Sequence, residues 1–131
     1  MTTRFTLAAA LATALAAPAA AQQPPFWSGA AKLRCDIEAS GNCDGGSCQP
    51  FNVMRIVFVE LDAKRVCASR DGSGCHARYY DVDTIEQAGR LLLVVRGTGT
   101  SYSIAADGTL AGAAVVAPNS YVFRGRCARA G

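Results

Sequence analysis

Alternation between apolar and polar residues is the main structural signal in this chain. Residues 32–38 place Leu33, Cys35 and Ile37 on one face and charged residues on the other, which is the pattern of a half-buried strand. Residues 39–52 are rich in Gly, Ser, Asn and Cys and are predicted to form a loop. Further strands, separated by turn residues, are predicted at 53–61, 64–69, 77–85, 91–96, 100–105, 110–117 and 121–127.

One segment, residues 83–89, also fits a short helix. Asp83 is a suitable cap, Glu86 follows three residues later, and Gly89 is a suitable stop. No longer stretch shows the 3.6-residue period of an amphipathic helix. The sequence therefore predicts an all-β fold, a small antiparallel barrel of about eight strands held by disulfides. A two-sheet β-sandwich is the alternative.

The beginning of the chain has the order of a secretory signal peptide. Arg4 precedes an apolar run of Ala and Leu, and small residues follow at 19–21. We expect a signal peptide at 1–21, an N-terminal linker at 22–31 and a single β-barrel domain at 32–131. The Ala-rich signal and the preference for Arg over Lys indicate a bacterial source. The expected localisation is therefore periplasmic or secreted, with no membrane anchor.

The charge pattern argues against a nucleic-acid partner. The formal net charge is +3, from 13 Lys and Arg against 10 Asp and Glu. The basic residues are scattered along the chain, whereas a nucleic-acid surface has them clustered in a patch or stripe. The charge says nothing about the oligomeric state.

The six cysteines predict three disulfides, because an even count in a short exported chain is typical of a disulfide framework. Cys35 lies on the apolar face of the first strand, and Cys127 shares a face with Tyr121 and Phe123 in the last. First and last strands are neighbours in a closed barrel. We therefore expect a Cys35–Cys127 bond across the closure.

The remaining cysteines lie close together in the sequence. Cys67 and Cys75 flank a predicted turn, and Cys43 and Cys48 share one loop, so each pair is expected to bond. A Cys35–Cys43 bond is the alternative. Structural zinc needs more paired ligands than these spacings supply, and the C-x-x-C motif of redox enzymes is absent.

Candidate catalytic groups are sparse. His76 is the only histidine, and the chain has no Gly-x-Ser-x-Gly elbow for a nucleophilic serine. Asp81 and Asp83 fit an exposed acidic face better than a calcium loop. The Gly97-Thr98-Gly99 segment fits a hairpin turn. We expect no enzymatic activity, no cofactor and no metal.

Two features bear on binding. Trp27, just before the first strand, is suited either to closing one end of the barrel or to an exposed contact with a partner. The small residues 111–114 leave room for either a close-packed neighbour or an interior recess. A small eight-stranded barrel has space for side chains or for one small ligand.

The arrangement resembles the periplasmic inhibitors of c-type lysozyme, small exported barrels with a disulfide between first and last strands. The segment 73–79, Ser-Gly-Cys-His-Ala-Arg-Tyr, is similar to the S-G-x-x-Y motif of that family, and Arg96-Gly97 is similar to its later K-G. This resemblance implies two inhibitory loops. In them Ser73 and Arg96 would engage the catalytic carboxylates of lysozyme.

The chain also resembles small exported bacterial proteins with Trp before C-x7-C-x4-C and a terminal Y-x-x-x-G-x-C. Trp27, the first three cysteines and residues 121–127 match that pattern, which implies no particular activity. We therefore expect an exported, non-enzymatic β-barrel module that binds a protein partner or a small apolar ligand. Inhibition of c-type lysozyme is the alternative.

Overall fold

The computed structural model describes residues 23–51, 56–70, 74–75 and 78–130, so the predicted signal peptide at 1–21 lies outside the described residues. Strands make up almost all regular structure in this part of the chain. They are β1 (Lys32–Asp44), β2 (Ser47–Pro50), β3 (Ile56–Glu60), β4 (Arg65–Ser69), β5 (Tyr80–Gln87), β6 (Arg90–Val95), β7 (Thr100–Ala105), β8 (Thr109–Val116) and β9 (Asn119–Ala130).

These strands form one antiparallel sheet in the order β2-β1-β3-β4-β5-β6-β7-β8-β9. β1 pairs with β9 as well as with β3, so β1 and β3 to β9 close an eight-stranded barrel, to which β2 is added beside β1. The predicted all-β barrel is confirmed. Closure satisfies the backbone hydrogen bonds that an open sheet would leave at its edges.

The loop predicted at 39–52 is wrong over most of its length. β1 continues as far as a two-residue turn at Gly45 and Gly46, which returns the chain as β2. Both glycines have positive φ, 56° and 94°, as hairpin turns of this length require. The polar sequence gives no alternation signal here. Pairing with β9 and the Cys43–Cys48 disulfide supply the order instead.

The helix candidate at 83–89 is also wrong. These residues lie mainly in β5, which pairs with β6 from Val82 to Gln87. Ala88 and Gly89 form the connecting turn, with φ values of 52° and 73°. The weak capping signal is overridden because these residues form a continuous ladder of six residue pairs with β6, whereas one turn of helix would leave most of its own backbone groups unpaired.

Apolar side chains fill the barrel, and Trp27 closes one end. The residue is 3% exposed, and its ring meets that of Phe26 edge to face with the centroids 5.4 Å apart. Its Nε1 donates to Oε1 of Glu86 at 3.2 Å. Trp27 is thus the predicted plug, although it belongs to the segment predicted as a linker. The rest of the core comprises Leu33, Cys35, Val57, Val59, Val66, Val82, Leu91, Leu93, Val95, Tyr102, Ile104, Leu110, Ala114, Phe123 and Cys127.

Three disulfides fix the barrel, and they join the predicted pairs. Cys35 and Cys127 stand directly opposite each other in β1 and β9, with a Cα–Cα distance of 3.9 Å. Their bond is buried within the seam where the barrel closes. Cys67 in β4 is bonded to Cys75, and the third bond, described above, fastens the β1–β2 hairpin. Such a framework fits an oxidising extracellular environment.

The seam also depends on a glycine and a bulge. The pairing of β1 with β9 shifts by one residue between Ile37 and Ala39. Opposite this bulge, a Cβ atom on Gly125 would collide with the backbone carbonyl oxygen of Asp36. Only glycine lets the two strands approach this closely.

Removing the seam disulfide is expected to cost more stability than removing the hairpin disulfide. The bonded residues are 92 positions apart for Cys35–Cys127 and 5 apart for Cys43–Cys48. Loop-closure entropy predicts that replacing both cysteines by alanine lowers the free energy of unfolding by about 4–5 kcal/mol at the seam and about 2 kcal/mol at the hairpin. Urea unfolding followed by circular dichroism measures both variants. Equal losses would contradict the leading role of the seam.

Candidate functional site

Aromatic rings fill the barrel interior beside the small residues of β8. A Cβ atom on Gly112 would lie 2.7 Å from the ring of Tyr102 and 3.3 Å from that of Phe123. These two rings have centroids 6.3 Å apart. The run at 111–114 therefore accommodates close-packed neighbours inside the barrel.

The outer surface of five neighbouring strands carries mostly small and apolar side chains. Strand register places one row across β6, β7, β8, β9 and β1, formed by Val94, Ser101, Ala113, Val122 and Gly41. The adjacent row is formed by Leu92, Ser103, Ala111, Arg124 and Ala39. We call these two rows the outer apolar face.

Large apolar side chains on this face are open to solvent. Val94 is 43% exposed and Val122 is 44% exposed, and Val115 at the end of β8 extends the apolar surface further. Single exposed apolar residues are common, but a contiguous apolar area marks a site of interaction. The register makes this area contiguous, since neighbouring members of a row lie on adjacent strands.

A groove of about 480 Å³ crosses the outer apolar face over β8, β9 and β1. Its floor is low because Ala39, Gly41 and Ala111 have little or no side chain. Val122 and Arg124 project beside these small residues on the same strand face. The groove thus combines an apolar floor with one cationic group.

Arg124 is chemically distinct from its neighbours in the structure. Arg34, Arg65, Arg96 and Arg126 each have a carboxylate within 4.0 Å. Among the described residues no hydrogen bond or ion pair engages the exposed guanidinium of Arg124. A planar guanidinium with free donors is suited to binding a carboxylate through two parallel hydrogen bonds.

The structure describes one of the two residues of the lysozyme-inhibitor hypothesis. Ser73 lies outside the described residues, as does His76. Arg96 lies on the exposed turn between β6 and β7, where its Nε and Nη2 donate to the two carboxylate oxygens of Asp83 at 3.0 and 2.6 Å. Two of its three guanidinium nitrogens are therefore already engaged within the chain.

This ion pair changes the acid–base behaviour of Asp83. The hydrogen bonds from Arg96 are the main reason that the pKa of the Asp83 carboxyl lies below its ordinary value. Its contribution to stability is therefore present above the ordinary pKa of aspartate and is lost as pH falls through the lowered folded-state pKa. The contribution is small, because both side chains are about half exposed.

The other sequence candidates have structural roles. Thr98, between Gly97 and Gly99, donates from Oγ1 to the carbonyl oxygen of Val95 at 3.2 Å, as expected in a hairpin turn. Within the described ranges, no three His, Cys, Asp or Glu residues gather where they could hold a metal ion. The same ranges contain no helix long and apolar enough to span a membrane.

Comparison with models of known protein families, with characterised proteins and with solved structures finds no match to this chain.

Sequence reasoning missed the outer apolar face, although one signal for it exists. The run Leu91–Val95 is apolar at every position, whereas a strand with one solvated face alternates. An uninterrupted run in a barrel of hairpins indicates that both faces of that strand are apolar. The other members of the face are too small to stand out individually.

Removing Arg96 is expected to raise the pKa of Asp83. In Arg96→Gln the carboxylate loses its charged donors, so its pKa should rise toward the ordinary value of aspartate. Carboxyl carbon shifts in an NMR pH titration measure this change. Arg124→Gln serves as the control and should leave the titration of Asp83 unaltered. An unchanged pKa in Arg96→Gln would show that the ion pair is not formed in solution.

Proposed function

We propose that this chain is an exported, non-enzymatic binding module that holds a protein partner on its outer apolar face. The observation that carries the proposal is the groove over β8, β9 and β1, in which a low apolar floor lies beside the unpaired guanidinium of Arg124. An exposed apolar groove with a single directed charge is suited to recognition.

The partner is proposed to present apolar side chains next to a carboxylate. The small residues Ala39, Gly41 and Ala111 in the floor leave space in which side chains of the partner can lie. Burial of apolar surface would provide most of the affinity, at about 25 cal/mol per Å². Arg124 would fix the orientation by pairing with an Asp or Glu of the partner.

Binding is proposed in place of catalysis because two carboxylates that could act as general acids are held by basic side chains. Asp83 is held by Arg96, and Glu60 lies beside both Arg65 and Lys32. Hydrogen bonding from Arg65 is the main reason that the pKa of Glu60 lies below its ordinary value. A general acid needs the opposite shift, toward neutrality.

Export is proposed from two independent features. The order of residues at 1–21 is that of a signal peptide, and the barrel carries three disulfides. The periplasm of a bacterium, or the medium outside it, supplies the oxidising conditions that these bonds require.

The groove is tested by selecting peptides on the purified protein. Random twelve-residue peptides displayed on phage should yield binders in which Asp or Glu adjoins Val, Ile, Leu or Phe. A synthetic peptide from this selection should bind Arg124→Gln about tenfold more weakly, since a charge-assisted hydrogen bond is lost. Val122→Glu, which places a carboxylate in the groove, should abolish binding. Isothermal titration calorimetry measures each affinity.

Arg34→Gln is the matched control, because Arg34 is an exposed arginine of β1 outside the groove. It should bind the selected peptide as the wild type does. If Arg34→Gln and Arg124→Gln weaken peptide binding equally, the loss of affinity comes from the change in overall charge and not from the position of Arg124. Selected peptides without a carboxylate would refute the role of Arg124.

The alternative, inhibition of c-type lysozyme, has less support in the geometry because Arg96 must leave Asp83 before it can enter a cleft. We expect no slowing of cell-wall lysis by c-type lysozyme at a large molar excess of this protein. If the wild-type protein slows lysis and the Arg96→Ala variant does not, the result would favour the inhibitor over the binding module proposed above. Turbidity of a cell-wall suspension reports the rate.

A further inference from the structure

A second cavity lies at the end of the barrel opposite Trp27. β6 begins near Glu86, the partner of Trp27, and ends at Val95, which lines this cavity. Its volume is about 260 Å³. Its described lining comprises Val66, Cys67, Ala68, Tyr80, Val95, Thr98, Thr100, Tyr102 and Val116.

The cavity lies beside a short stretch of strand pairing. Among the described residues, the ladder between β4 and β5 joins Arg65 to Asp81 and Val66 to Tyr80. Cys67, which is bonded to Cys75, follows this ladder on β4 and lines the cavity. The described lining thus runs from β4 to the turn that joins β6 to β7.

Tyr102 provides the chemistry of this cavity. The residue is 4% exposed, and its ring packs inside the barrel against Phe123 and over Gly112. Within the described chain, the Tyr102 hydroxyl forms no hydrogen bond. Its oxygen is not fully enclosed by protein atoms. The hydroxyl is therefore accessible, and because a buried tyrosine hydroxyl usually finds a partner, it can donate to a molecule that enters the cavity.

We propose that this cavity binds a small, neutral, largely apolar molecule that carries a hydrogen-bond acceptor, and that the Tyr102 hydroxyl donates to that acceptor. Ketones, esters and amides on a compact hydrocarbon frame are the class that fits. The site is distinct from the outer apolar face, so its occupancy does not depend on the protein partner proposed above.

Charge and size define the ligand class. No charged side chain is present in the described lining, so an ionic ligand would lose hydration without compensation. An apolar cavity of about 150 Å³ accommodates benzene, and the larger volume here leaves room for substituents or a second ring. Burial raises the pKa of Tyr102 to about 12, which keeps the hydroxyl protonated as a donor at neutral pH.

Two probes of nearly the same shape test the role of the hydroxyl. Acetophenone carries a carbonyl acceptor, and α-methylstyrene has a CH₂ group in place of that oxygen. Titrations of the wild-type protein followed by ¹H–¹⁵N NMR should show saturable shifts at the amides of Thr98 and Thr100 with either probe. Acetophenone should bind Tyr102→Phe about tenfold more weakly, whereas α-methylstyrene should bind it within twofold of the wild type.

A second pair of variants tests the location. Val116 lines the cavity, while Val115 faces outward on the same strand. Val116→Trp should abolish binding of both probes, and Val115→Trp should preserve it. Thermal unfolding of each variant confirms its fold, which Tyr102→Phe should retain because only a hydroxyl without a protein partner is removed.

Three results would overturn the proposal. The first is the absence of saturable binding of both probes to the wild-type protein up to their solubility limits. The second is wild-type affinity of Tyr102→Phe for acetophenone. The third is continued binding to folded Val116→Trp. Failure of the peptide selection on the outer apolar face would leave the cavity unaffected, so the two proposals fail separately.

Discussion

The pairing of β1 with β9 is the contact on which the rest of the structure depends. It joins the two longest strands, closes the barrel, and contains the buried Cys35–Cys127 bond. The other described pairings of the barrel join strands that follow one another in sequence, with only β2 between β1 and β3. The seam therefore carries the largest loop-closure entropy. Gly125 and the bulge after Ile37 allow β1 and β9 to come this close together.

The bulge in the seam also creates the groove. Before it, Leu33, Cys35 and Ile37 face the interior, and an unbroken strand would turn Gly41 inward as well. The extra residue reverses the alternation, so that Gly41 lies outside beside Val122 while Ser40 faces in opposite Phe123. One inserted residue thus both fits the strands together and places a glycine in the floor of the groove.

The strength of each local signal determined what the sequence could predict. Strict alternation in residues 32–38 and the repeated turn signals were enough for an all-β barrel, and side-chain parity was enough to pair Cys35 with Cys127. The β1–β2 hairpin was missed because its order comes from β9 and a disulfide. The groove was missed for two reasons. No residue in the sequence indicates the bulge that exchanges inward and outward positions in β1. The outer apolar face is continuous only because of the register of five strands, which the sequence does not show.

The two proposed sites share a wall, which limits how each can change. Gly112 and Phe123 border the outer groove, and the same residues support the ring of Tyr102 on the inner side. A larger residue at Gly112 would displace that ring, since a Cβ atom there already lies inside van der Waals contact. The thin floor of the groove therefore follows from the aromatic packing beneath it. Substitutions that deepen or fill the groove must act through outward positions such as Ala39 and Val122.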